Sequence, residues 1–192
     1  MSQTAEAIRT VDGVELPPVG TYTIDTAHTH VSFLARHLMV TKVRGNFRSF
    51  SGTIEVAEVP EESKVEATID APSIDTGEPN RDAHLRSPDF LDVEHYPTIT
   101  FRSTGLVRKG GTKFALPGEL TIRGLTRPVI LEAEYDGVVV HPQMGTRIGL
   151  SASGEINRED FGMTWNAALE AGGFVVGKTV RLEIEAEAVL QG

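Results

Sequence analysis

The chain has 192 residues, 40% of them hydrophobic, which is enough for one sizeable core and makes one domain the expectation. A net charge of -9 disfavours non-specific adhesion to nucleic acid or to an anionic membrane, since both need a basic footprint. The absence of cysteine excludes disulfides, thiolate catalysis and Cys-ligated zinc together.

Met1 to about Val19 is polar, carries Pro17 and Pro18, and is expected to be a flexible arm. It holds acidic residues and no apolar h-region, so it does not resemble a secretory signal. No apolar run is long enough for an integral membrane segment. A cytoplasmic location is the expectation that fits.

Residues 20 to 192 are expected to form one domain of strands. Tyr22 to Ala35 puts Val31, Phe33 and Ala35 on one face. Phe47 to Val56 aligns Phe50, Gly52, Ile54 and Val56, and Lys64 to Ala71 aligns Val65, Ala67, Ile69 and Ala71. Thr98 to Val107 carries Ile99, Phe101 and Val107, Thr112 to Ile122 carries Leu120 and Ile122, and Arg127 to Val138 carries Val129, Leu131, Ala133 and Tyr135. The last two strands alternate almost without fault. Ile148, Leu150, Ala152, Gly154 and Ile156 share one parity, as do Val180, Leu182, Ile184, Ala186 and Ala188. A side-chain period of two means extended strands with one dry and one wet face. The dry face carries several small residues, so it leaves room inside. Roughly eight such strands joined by short Gly, Pro and Asp/Asn turns predict an all-β antiparallel barrel or sandwich.

One segment breaks the rhythm. Residues 79 to 92 lack period two, and Pro79 suits the first turn of a helix. Asp82 and Arg86 would pair at i and i+4, and Ser87 would cap a fresh turn through Phe90. A short helical plug or flap across one barrel end is expected.

Several constellations point to chemistry. Gly172 to Thr179 matches the phosphate-loop pattern G-x-x-x-x-G-K-T, but a two-period strand follows instead of a helix, so a glycine turn is expected. Gly149 to Gly154 approaches G-x-S-x-G but lies within a strand rather than on an elbow. His28 and His30, with His37 or His84, could form a three-His metal site. Strand parity instead turns His28 and His30 to water, so no metal and no cofactor are expected. No carboxylate occurs between Thr26 and Ile54, a stretch that holds Arg36, Lys42, Arg44 and Arg48. These cations could hold an anionic head group, or face Glu183, Glu185 and Glu187 across the first and last strands. Phe161, Met163 and Trp165 interrupt the alternation and read as a cavity lid or a hydrophobic cover.

Several segments together resemble the YceI-like family of polyisoprenoid-binding proteins. They are Tyr22 to Phe33 with Arg36 to Phe47; Asn80 to Asp92 with Tyr96, Pro97 and Phe101; Gly118 to Thr126; and Arg158 to Met163 with Val176-Gly177. The resemblance implies an extended eight-stranded antiparallel lipocalin-like β-barrel whose apolar tunnel holds a long isoprenoid chain, such as a polyprenyl diphosphate or prenylated quinone. It implies a binder, storer or transporter rather than an enzyme, often dimeric. Leu91 stands where many relatives have a second Phe. Many relatives carry a secretion leader that is not seen here, so periplasmic transport is not carried over.

The candidate tunnel wall is Phe33, Ala35, Ile54, Ile69, Ile99, Phe101, Leu120, Leu131, Ile148, Leu150, Ala152, Leu182 and Ile184, with Phe161, Met163 and Trp165 as lid. Head-group candidates are Arg36, His37, Arg44, Arg81 and His84. Two alternatives stand beside the carrier. One is an enzyme on a fatty-acyl or isoprenoid-like ligand, using His37, Asp82, His84 or Asp89. The other is a protein-interaction barrel without a small ligand.

Overall fold

The computed structural model describes residues 8–170 and 172–192. Fourteen strands occur in it: β1 (Arg9–Val11), β2 (Val14–Leu16), β3 (Gly20–Ile24), β4 (His30–His37), β5 (Thr41–Phe47), β6 (Phe50–Val56), β7 (Lys64–Asp70), β8 (Ile74–Asp75), β9 (Thr98–Ser103), β10 (Val107–Gly110), β11 (Lys113–Ile122), β12 (Leu125–His141), β13 (Gly145–Asn157) and β14 (Val176–Leu190). One α-helix, α1 (Pro79–Arg86), lies between β8 and β9.

Eight of the wall positions close into an antiparallel barrel, because several short strands run end to end. β14 pairs with β3 through residues 188–190 and with β4 through residues 176–185, so β3 and β4 are one broken strand. β6 pairs with β3 and β5 with β4, and the next position is β7 on β6 and β8 on β5. β9 and β10 share the edge of β11. β12 and β13 follow, and the β13–β14 ladder closes the circle. The breaks let each strand bend, which a closed sheet of eight requires. At the β3–β4 break, the buried Thr29 hydroxyl bonds both the carbonyl and the N–H of Glu187, standing in for the missing ladder.

The sequence-expected Tyr22 to Ala35 strand is therefore two strands, and β5 was not expected at all. The expected loose arm is corrected in part: residues 9–16 form a β1–β2 hairpin across one barrel end. Asp12 and Gly13 take the left-handed conformations that its tight turn needs. Arg9 ties the hairpin down through the carbonyls of Pro17, Ala57 and Glu58. Residues 1–7 lie outside the described residues.

In the helical insertion, Glu78 caps α1 by accepting from the N–H groups of Asn80 and Arg81, and Pro79 opens it. The expected Asp82–Arg86 pair does not form. Asp82 accepts from the N–H and hydroxyl of Thr76, while Arg86 donates to the carbonyls of Pro72 and Ile74. Ser87 ends the helix rather than starting another, and the chain passes Phe90 in turns. Packing against the barrel decides these partners; local spacing does not.

Candidate functional site

Parity builds the site. On β13 and β14 four inward pairs, Ile148 with Ala188, Leu150 with Ala186, Ala152 with Ile184, and Gly154 with Leu182, set a large apolar residue opposite a small one, while Ile156 meets Val180 at the end of the ladder. Along those four pairs the wall is greasy but thin. Large side chains fold onto glycines: a Cβ at Gly118 would lie 2.5 Å from the Phe101 ring, and one at Gly154 would lie 2.8 Å from the Leu131 side chain. The result is a cavity of about 370 Å³, within the range typical of small-molecule sites.

The two ends differ. Leu16, Tyr22, Ile54, Phe114, Tyr135, Ile148 and Ala188 pack tightly below the β1–β2 hairpin. There the Tyr22 hydroxyl donates to the Pro18 carbonyl at 2.9 Å. The Tyr135 hydroxyl is buried without a hydrogen-bond partner among the described residues, and burial pushes its pKa up. At the other end Leu85, Phe90, Leu91 and Met163 border the cavity, so the helical insertion supplies part of its wall. In between, Phe33, Ala152 and Leu182 point inward by parity yet are only half-buried. Inward side chains can be accessible only if the interior is hollow.

Of the expected wall residues, Phe33, Ala35, Ile54, Ile69, Ile99, Phe101, Leu120, Leu131, Ile148, Leu150, Ala152, Met163, Leu182 and Ile184 all line this cavity. Phe161 and Trp165 do not. Phe161 is buried in the packed core, and Trp165 sits edge-on to His84 with ring centroids 4.6 Å apart. The sequence reading missed lining from Phe47, Val65, Leu85, Phe90, Leu106 and Phe114, among others. Val65 and Val129 were legible by parity; Phe90 was not, since it comes from a turn.

The head-group candidates do not converge on the lumen. Arg44 pairs with Glu183 at 2.8 Å, as the cross-strand alternative expected. Arg81 donates to the hydroxyl and carbonyl of Thr76. His84 bonds Asp89 at 2.9 Å outside the plug, and Arg36 and His37 lie at the far end of β4. The charged residue that is both buried and on the wall is Arg158, 2% exposed. It is pinned by the carbonyls of Gly177 (2.9 Å), Met163 (2.5 Å) and Val176 (3.4 Å). Among the described residues no carboxylate pairs with it, and burial lowers its affinity for the proton. A run of acidic and apolar neighbours gave no sequence signal for this role.

The histidines engage separate partners. His28 is exposed and meets Asp25 at 3.0 Å, with Glu187 nearby. These three could group about a cation, but the Arg147 guanidinium already bonds both carboxylates. The Gly172–Thr179 stretch turns at Gly172 and Gly173, both with positive φ, and enters β14 rather than a helix.

No helix among the described residues is long and apolar enough to cross a membrane. The chain is 38% identical over 169 residues to UPF0312 protein SA2479 of Staphylococcus aureus (strain N315), covering 86% of this chain and 95% of that one. Its fold matches the YCEI protein of Campylobacter jejuni with a TM-score of 0.71 at 31% identity, over 82% of this chain and 90% of that one. It also matches a polyisoprenoid binding domain from Saccharophagus degradans with a TM-score of 0.67 at 15% identity, over 88% and 98% of the two chains. The model of the YceI-like domain matches residues 22–188, nearly the whole barrel. With the family model and the sequence of these relatives in agreement, the chain belongs to the YceI-like family.

Proposed function

We propose that this protein binds a long-chain isoprenoid lipid in its lumen and stores or carries it without altering it. The observation that carries this reading is the hollow itself: about 370 Å³ walled by aliphatic and aromatic side chains, with small residues where the wall could have been filled. Burying ten methylene equivalents there is worth about 8 kcal/mol, or roughly micromolar affinity before ordering costs. Branched isoprene units suit a bore ribbed by alternating large and small residues. Arg158 is the wall group that fits the polar end of a prenyl diphosphate or prenylated quinone. The Saccharophagus domain of the same fold is a polyisoprenoid binder, which supports the same ligand class here.

Catalysis is the less favoured reading, because Asp82, His84 and Asp89 are occupied in bonds that fix the insertion. The test is native mass spectrometry of protein purified without detergent, followed by titration of the delipidated barrel with prenyl lipids. A stoichiometric bound lipid is expected. A barrel that is empty and takes up no prenyl chain would overturn the proposal.

A further inference from the structure

The β4–β5 hairpin is built against local preference in three ways at one place. Its turn runs from His37 to Val40, closed by the Val40 N–H bonding the His37 carbonyl at 3.2 Å. Both central residues are left-handed, Leu38 at φ 51° and Met39 at φ 62°. Such a turn favours Asn-Gly, and bulky side chains are strained in it. The tip is also apolar and in water: Met39 is 61% and Val40 78% exposed. Finally, Arg36 and Lys42 stand directly opposite each other on the ladder just below it. Like charges opposite one another destabilise a sheet, and neither residue has an ion pair among the described residues.

A second loop completes the feature. The Leu38 N–H donates to the Val175 carbonyl at 2.9 Å, and Met39 rests on Gly173. Phe174, 53% exposed, joins Met39 and Val40 on the same end. Arg44, Lys178 and Arg181 lie behind this tip and share Glu183 and Glu159 as partners, while Glu170 is the further acidic residue on the loop. The lumen comes close, since Ala35 and Val176 on its wall are three and two residues from Leu38 and Phe174.

From this we infer that the β4–β5 tip, with Phe174, docks on an anionic lipid bilayer, seating Leu38, Met39, Val40 and Phe174 at the acyl boundary and Arg36 and Lys42 among the phosphates. An apolar tip over a basic collar is the charge and polarity order of the bilayer interface itself. That surface relieves both the apolar exposure and the Arg36–Lys42 repulsion. The net charge of -9 keeps the rest of the molecule off the membrane, so contact is confined to this end. The opposite tip, with Val139, Val140 and Met144, is apolar too. It turns on Gly145 without strain, and its Arg147 is taken up by Asp25 and Glu187.

The test is co-sedimentation of the full chain with phosphatidylcholine vesicles, with and without about one third phosphatidylglycerol. Binding to the anionic vesicles alone is expected. Arg36→Gln with Lys42→Gln should weaken it about fivefold per charge. Leu38→Asn with Met39→Gly should weaken it at least about tenfold while the melting temperature holds or rises, because Asn-Gly suits the turn. Equal binding to both vesicle types, no binding, or full binding by the Asn-Gly variant would overturn the inference. So would a dimer in sedimentation velocity that the Asn-Gly variant dissolves, since a second copy would then cover the tip. Vesicle binding is read whether or not the lumen is filled, so this inference and the carrier reading fail independently.

Discussion

Gly45 faces Phe33 across the β4–β5 ladder, and the Phe33 ring occupies the space that a side chain at Gly45 would take. The ring lies against its neighbour strand instead of standing into the lumen. A missing methyl on one strand thus creates room for ligand on the other. Gly45→Ala should push the ring inward, at a cost of about 1–3 kcal/mol for overpacking. Prenyl-lipid uptake should fall with it. Urea unfolding and native mass spectrometry of the same variant check both effects.

Ala152 lies on the wall opposite Ile184. Ala152→Phe should place its ring in the void, so stability should stay within about 1 kcal/mol of the parent, below the usual overpacking cost. Lipid occupancy should drop by at least tenfold. A large loss of stability, measured by urea midpoint, would mean that the space beside Ala152 is already filled.

Arg158 satisfies three main-chain carbonyls while buried on the lumen wall. Arg158→Met fits the space but leaves those acceptors short of donors, so a loss of about 2–4 kcal/mol is expected by urea unfolding. If Arg158 also meets the head group, affinity for a prenyl diphosphate should fall more than affinity for the uncharged prenol. Equal losses for the two ligands would remove Arg158 from that role.

Asp25 is held well below the usual carboxylate range, first by the Arg147 guanidinium, then by His28 and the Ala27 N–H. A depressed folded-state pKa adds stability that is present above the unfolded value of about 3.9 and is lost as pH falls through the folded one. Asp25→Asn should therefore lower stability at neutral pH and flatten its decline below about pH 4. Chemical denaturation at a series of pH values measures the slope. An unchanged acid slope would show that other carboxylates set it.

Tyr135 carries a buried hydroxyl with no hydrogen-bond partner among the described residues. Tyr135→Phe removes that group without altering the ring, so stability should hold or rise by up to about 1 kcal/mol. A lower melting temperature would show that the hydroxyl is bonded in solution.

Much of this was legible from period two alone. The parity of β13 and β14 named Ile148, Leu150, Ala152, Leu182 and Ile184, and all of them line the lumen. The β4–β5 hairpin was illegible for a physical reason: its turn is Leu38-Met39, which carries no turn chemistry, so β5 vanished. The head-group candidates lie off the lumen wall: charge counts along the chain do not say which cations find carboxylates in space. Arg44 does, and among the described residues Arg158 does not. Asp82 and Arg86 illustrate the same limit, since spacing paired them and the barrel separated them.

The large-against-small order along β13 and β14 has a further consequence, for assembly rather than for cargo. A slip of two residues would keep every oily side chain indoors, so alternation alone cannot forbid it. It would, however, set Leu150 against Ile184 in one direction. In the other it would strand Ala152 beside Ala186. The seam that shuts the cylinder therefore works like a key cut to favour one alignment, with bulk weighing against misthreaded closures.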